Sequence, residues 1–117
     1  GTGVLADVVL GTVDENDEFV GSDTFDNTSF DGYPLTIQAE ATQVPAGTHL
    51  LVKFFVDGYE DESLRFVSEW DNASDGAVQF DVPIDLGPSY VLAEGEYAIE
   101  VYLDGVLQGG RIDFIVE

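Results

Sequence analysis

The chain of 117 residues contains no cysteine. Disulfides, thiolate metal sites and cysteine nucleophiles are therefore excluded. Positive charge is almost as scarce. Lys53, Arg65 and Arg111 face 24 Asp and Glu, which leaves a net charge of -21. A field of that sign repels phosphate backbones and anionic lipid surfaces, so neither nucleic acid nor an acidic membrane is expected as a partner. There is a single imidazole, His49. Without cysteine it cannot build the usual four-ligand zinc set. No G-x-S-x-G elbow accompanies it, so a Ser-His-Asp triad has no support, and His49 reads as an ordinary strand-edge histidine. No apolar run approaches the ~18 residues that span a bilayer. No basic-then-apolar leader is present. The opening Gly1-Thr2-Gly3 does not look like a natural start, so any targeting segment or anchor is expected outside this sequence. Helical periodicity is missing throughout, and with it any glycine-rich phosphate loop that opens a helix.

What is present suits one folded domain over residues 1–117. Hydrophobic residues make up 44%, including eight Phe, five Tyr and one Trp, enough for a core. A chain of this size buries roughly 65% of its unfolded surface, so no covalent staple is needed. The acidity fits solubility or a salty habitat. Its functional alternative is attraction of cations or of a basic partner.

Apolar and polar residues alternate in short runs separated by turn residues, the pattern of β-strands. From Tyr97 to Leu103 the odd positions are apolar and Glu100 lies on the other face. Asp104-Gly105 follows, a strong hairpin signal. The return strand runs from Val106 to Glu117 with Ile112, Phe114 and Val116 inward, and Gly109-Gly110 marks a bulge or kink. Upstream, Ala77 to Val82 places Val78, Phe80 and Val82 inward, and Glu62 to Trp70 is read as a strand with Leu64 and Phe66 inward. His49 to Asp57 is apolar on both faces, as expected of a covered mid-sheet strand. Leu35 to Ala41 alternates cleanly. Val4 to Val13 is the first strand, with apolar residues on both parities. The stretch from Asp14 to Pro34 reads as a long loop holding a short edge strand at Glu18 to Val20. The expectation is an all-β, seven-stranded immunoglobulin-like Greek-key β-sandwich.

Leu92-Ala93-Glu94-Gly95-Glu96-Tyr97 resembles the tyrosine corner of Greek-key sandwiches, in which a Tyr hydroxyl bonds back to nearby backbone. With Tyr102-Leu103-Asp104-Gly105, Phe114-Ile115-Val116, Val44-Pro45-Ala46-Gly47-Thr48 and Val13-Asp14-Glu15-Asn16, the chain is similar to immunoglobulin-like (fibronectin-III-like) accessory domains of bacterial secreted and lipid-anchored proteins. It departs from the commoner examples in its acidity and in having Phe54-Phe55 where a Trp is frequent. The resemblance implies a non-enzymatic extracellular spacer or adhesion-type module of a larger bacterial or archaeal protein. Its partners would be neighbouring domains of the parent chain or another protein. It implies no catalytic residue, no cofactor and no membrane insertion, and fold does not by itself fix function.

The alternative is a calcium- or carbohydrate-binding module. Calcium takes six to eight loop oxygens. Asp14, Asn16, Asp17 and Asp23 are the candidate ligands. Asp14-Glu15-Asn16-Asp17-Glu18 partly resembles the D-x-N-D core of cadherin linkers but lacks the final Asn. Asp26 and Asp31-Gly32 lie in the same loop without EF-hand spacing. For carbohydrate, Tyr33, Tyr59, Trp70, Tyr90 and Tyr102 are candidate platforms, with Tyr102 foremost because it points outward beside Glu100; the alternative for each is partial burial against neighbouring strands. Asn27-Thr28-Ser29 and Asn72-Ala73-Ser74 are glycosylation triplets that matter only in a glycosylating host.

Overall fold

The computed structural model describes residues 3–26, 35–83 and 93–117. Ten strands follow in order: β1 (Val4–Val13), β2 (Phe19–Gly21), β3 (Thr24–Phe25), β4 (Leu35–Val44), β5 (His49–Val56), β6 (Tyr59–Glu60), β7 (Phe66–Glu69), β8 (Ser74–Val82), β9 (Gly95–Leu103) and β10 (Val106–Val116). They form two packed sheets, a four-stranded one in the order β2-β1-β4-β8 and a six-stranded one in the order β3-β10-β9-β5-β6, with β7 also paired to β5. The all-β, sandwich-like architecture follows the alternation in the sequence. The strand number does not. Among the described residues there are ten rather than seven: β2 is the short edge strand expected at Glu18 to Val20, and β3 and β6 are two-residue pieces, too short to carry a periodic signal.

The hairpin signals act as their chemistry requires. Asp57-Gly58 and Asp104-Gly105 both have positive φ at each residue, so each makes the two-residue turn whose twist matches its strands. Register runs Val56 to Tyr59 across the first and Leu103 to Val106 across the second. Gly109 and Gly110, at φ 72° and 82°, sit in the register shift between Gln108 and Ile112.

Glu62 to Trp70 is not one strand. Glu62–Leu64 forms a short 3-10 turn and only Phe66–Glu69 is extended. The Asp61 carboxylate accepts from the Ser63 N–H and hydroxyl, a local bond that competes with sheet pairing. Leu64 still points into the core, as its parity implied.

The mixed parity of β1 also has a structural cause. Between Ala6 and Val9 the register on β4 shifts by one residue, and Asp7 takes φ 52°. Before this bulge the odd residue Leu5 is buried; after it the even residue Leu10 is. One extra residue therefore reverses the inward parity. The buried Leu5 N–H there is satisfied by the Gln108 side-chain oxygen of β10 at 2.9 Å, which ties the two sheets together.

Between the sheets, Leu35, Ile37, Val44 and Val82 meet Val52, Phe54, Ile99, Val101 and Phe114, all essentially inaccessible. Tyr97 stacks on Phe114 at 5.3 Å, and Phe25 meets the same ring edge-on at 5.7 Å. The Tyr97 hydroxyl donates to the Ala93 carbonyl at 2.6 Å, the bond that the tyrosine-corner pattern calls for. Phe80, expected deep in the core, is only partly buried. Its strand is the outermost of the four-stranded sheet, so one side of the ring lacks a covering neighbour.

The chain enters and leaves at opposite ends. Val4 pairs with Thr42, beside the turn that carries β4 into β5. Val116 pairs with Gly95, at the end where Val56 pairs with Tyr97.

Candidate functional site

The candidate calcium ligands fall at two places. Asp14 opens the β1–β2 turn, and one of its carboxylate oxygens accepts from the N–H groups of Asn16 and Glu18 at 2.8 and 3.0 Å. Asp17 sits in the same turn at φ 61° and donates its N–H to the Asp14 carbonyl. That carboxylate oxygen is engaged in shaping the turn, as aspartate in an Asx-turn does. Asp23 lies beyond the other end of β2, where it accepts from the Thr24 hydroxyl and its carbonyl accepts from the Ile115 N–H. Among the described residues no three His, Asp or Glu side chains converge as a metal site would require. Asp31, Gly32, Tyr33, Tyr90 and the triplet at Asn27 lie outside the described residues.

His49 begins β5. Its ring lies 3.9 Å from Glu69 and both side chains are about 70% exposed, so water screens the pair. Tyr59 is 80% exposed and isolated on a hairpin tip.

Tyr102 does face outward, but it is already occupied. Its hydroxyl donates to Glu100 at 2.7 Å, and the Lys53 ammonium sits 4.8 Å from its ring centroid. The hydrogen bond to Glu100, then burial, pushes the phenol above its ordinary range. Glu100 also pairs with Arg111 at 3.5 Å, and the Arg111 guanidinium covers the Phe55 ring at 4.0 Å. This explains why β5 is apolar on both faces: Phe55 is buried on the outer one beneath a cation. Arg65 is held by Glu60 at 2.6 Å, and that bond raises its pKa.

One concavity among the described residues was not legible residue by residue. A groove of about 390 Å³ opens between β7 of one sheet and β8 of the other. Partly buried Phe66, Trp70 and Phe80 line it, with Glu69, Asp71 and Asp81 among its polar residues. Trp70 meets Phe80 edge-on at 5.8 Å, and its indole N–H donates to the Ser74 hydroxyl at 2.9 Å. Ser74 belongs to the second glycosylation triplet, so that hydroxyl also fixes the wall of the groove. The signal available beforehand was the inward parity of Phe66 and Phe80. What parity cannot tell is that their two strands sit at open sheet edges.

No family model matches the chain. No curated protein matches it either.

Proposed function

We propose that the chain is a non-enzymatic, immunoglobulin-like module of an extracellular or cell-surface protein, bacterial or archaeal, acting as a spacer or adhesion-type unit between other domains. The observation that carries this reading is the axial path of the chain, in at one end of the sandwich and out at the other. A strand of ten residues spans about 33 Å, so a domain threaded this way holds its neighbours apart by its own length. Strand order supports the immunoglobulin-like part. The sets β1-β4-β8 and β10-β9-β5 correspond to the A-B-E and G-F-C groupings of that fold. The Tyr97 bond to Ala93 is consistent with it.

The chain has no cysteine, so labels at Val4→Cys and Glu117→Cys report the span without background. A separation of about 30 Å or more is expected. In the parent protein, replacing this module with an unrelated sandwich of similar length and opposite-end termini should preserve the reach of the flanking parts. A short separation, or loss of reach despite the matched replacement, would refute the spacer reading.

A further inference from the structure

Four strands or strand pairs end the two sheets, and three of them are short; β2 and β3 pair with only Gly11–Val13 of β1 and Ile115–Val116 of β10, so among the described residues Val4–Val9 and Val106–Phe114 also have no outer partner strand. β2 has three residues, β3 two, and the β6 and β7 pieces two and four. Short edges are one way proteins prevent unwanted strand pairing. The fourth edge is β8, nine residues long with neither lysine nor proline, and among the described residues only β4 pairs with it. Among the described residues it therefore presents a row of backbone donors and acceptors from Ala77 to Val82, which the shift in register at Gly76, at φ 100°, interrupts. Directly inside this edge lies the groove lined by Phe66, Trp70 and Phe80.

We propose that the open edge of β8 takes up an extended, basic segment of a partner protein as an added strand. Backbone bonds along the edge supply the attachment, and alternate side chains supply the choice of partner. Inward side chains of the added strand reach the groove and must be apolar. Its outward side chains lie beside Asp75 and Asp81, both exposed, and near the Glu69 and Asp71 rim. Opposite charges across a strand pair attract and like charges repel, so lysine or arginine is selected there. The same charges argue against a second copy of this chain. Two β8 strands paired antiparallel about Val78 would set each Asp75 against the other chain's Asp81, between bodies that each carry -21.

The probe is a peptide of about nine residues, the length of β8, alternating lysine with valine or phenylalanine. The lone tryptophan, Trp70, reports its arrival, and hydrogen exchange reports the β8 amides. The expected result is a saturable change in Trp70 emission with slowed exchange along β8. A peptide of equal length and charge with proline at alternate positions should not bind, because it cannot form a strand. Asp75→Lys with Gln79→Lys should weaken the basic peptide about tenfold, and should admit a glutamate counterpart that the original chain rejects. The proposal is overturned if the proline-containing peptide binds equally well, since that is attraction of a polycation by a polyanion. It is also overturned if nothing saturates, if the lysine variant binds unchanged, or if the chain alone dimerises with β8 protected.

Discussion

Replacing Tyr97 by Phe removes one oxygen and leaves everything else in place. The ring is 6% exposed and stacked on Phe114 at 5.3 Å, contacts that phenylalanine keeps. What disappears is the 2.6 Å bond from the hydroxyl to the Ala93 carbonyl. The net value of such a bond is about 1 kcal/mol. In a domain of this size that lowers the melting temperature by about 3–6 °C, or the urea midpoint by about 0.3–1 M. Alkaline pH adds a second readout. Burial, followed by the nearby charges of Asp57 and Asp61, raises the Tyr97 pKa in the folded protein. The unfolded value is about 10. The neutral phenol is thus favoured by folding, so its contribution is complete below about pH 10 and is lost as pH climbs through the raised folded value. Tyr97→Phe should flatten that alkaline decline without abolishing it, because Tyr102 is also raised. Urea titrations of both proteins at neutral and alkaline pH decide the matter. An unchanged midpoint at neutral pH would refute the role of the hydroxyl. A loss above about 3 kcal/mol, typical of a truncated core ring, would show that the ring had moved.

Phe54→Ala should cost about 3–5 kcal/mol and Phe80→Ala clearly less, because the first ring is wholly buried and the second borders the groove; chemical denaturation of the two variants gives the ranking. Gln108→Leu should cost about 1–3 kcal/mol by leaving the buried Leu5 N–H without its acceptor, which the unfolding midpoint reads directly. Asp14→Ala should destabilise the β1–β2 turn by about 1 kcal/mol while Asp14→Asn, which keeps the acceptor oxygen, should cost little; the difference appears in their melting temperatures. Sodium chloride raised from 0.1 to 1 M shortens screening from about 10 to about 3 Å and should stabilise the fold, with potassium chloride matching it. A response lost on replacing the single exposed residue Asp75 would point to a discrete ion site instead.

Sequence alone determined the elements whose cause is local. The inward rows of β4, β5 and β9 follow from period-two alternation, and the turns at Asp57-Gly58 and Asp104-Gly105 follow from residues that accept positive φ. Tyr97 was identifiable because its partner lies four residues upstream. Tertiary structure alone decided whatever depends on a neighbour distant in sequence. The inward parity of β1 reverses at Asp7, and the buried Leu5 amide finds Gln108 on the far side of the sandwich. Phe55 is apolar on an outer face because Arg111 lies over it. Asp14 and Asp23 share one stretch of sequence but shape separate turns, since a strand runs between them. Phe66, Trp70 and Phe80 become a groove only because β7 and β8 end their respective sheets on the same side. A side chain's parity is set by its own backbone, whereas its burial is set by which strand lies opposite, and that is fixed only when the two sheets close.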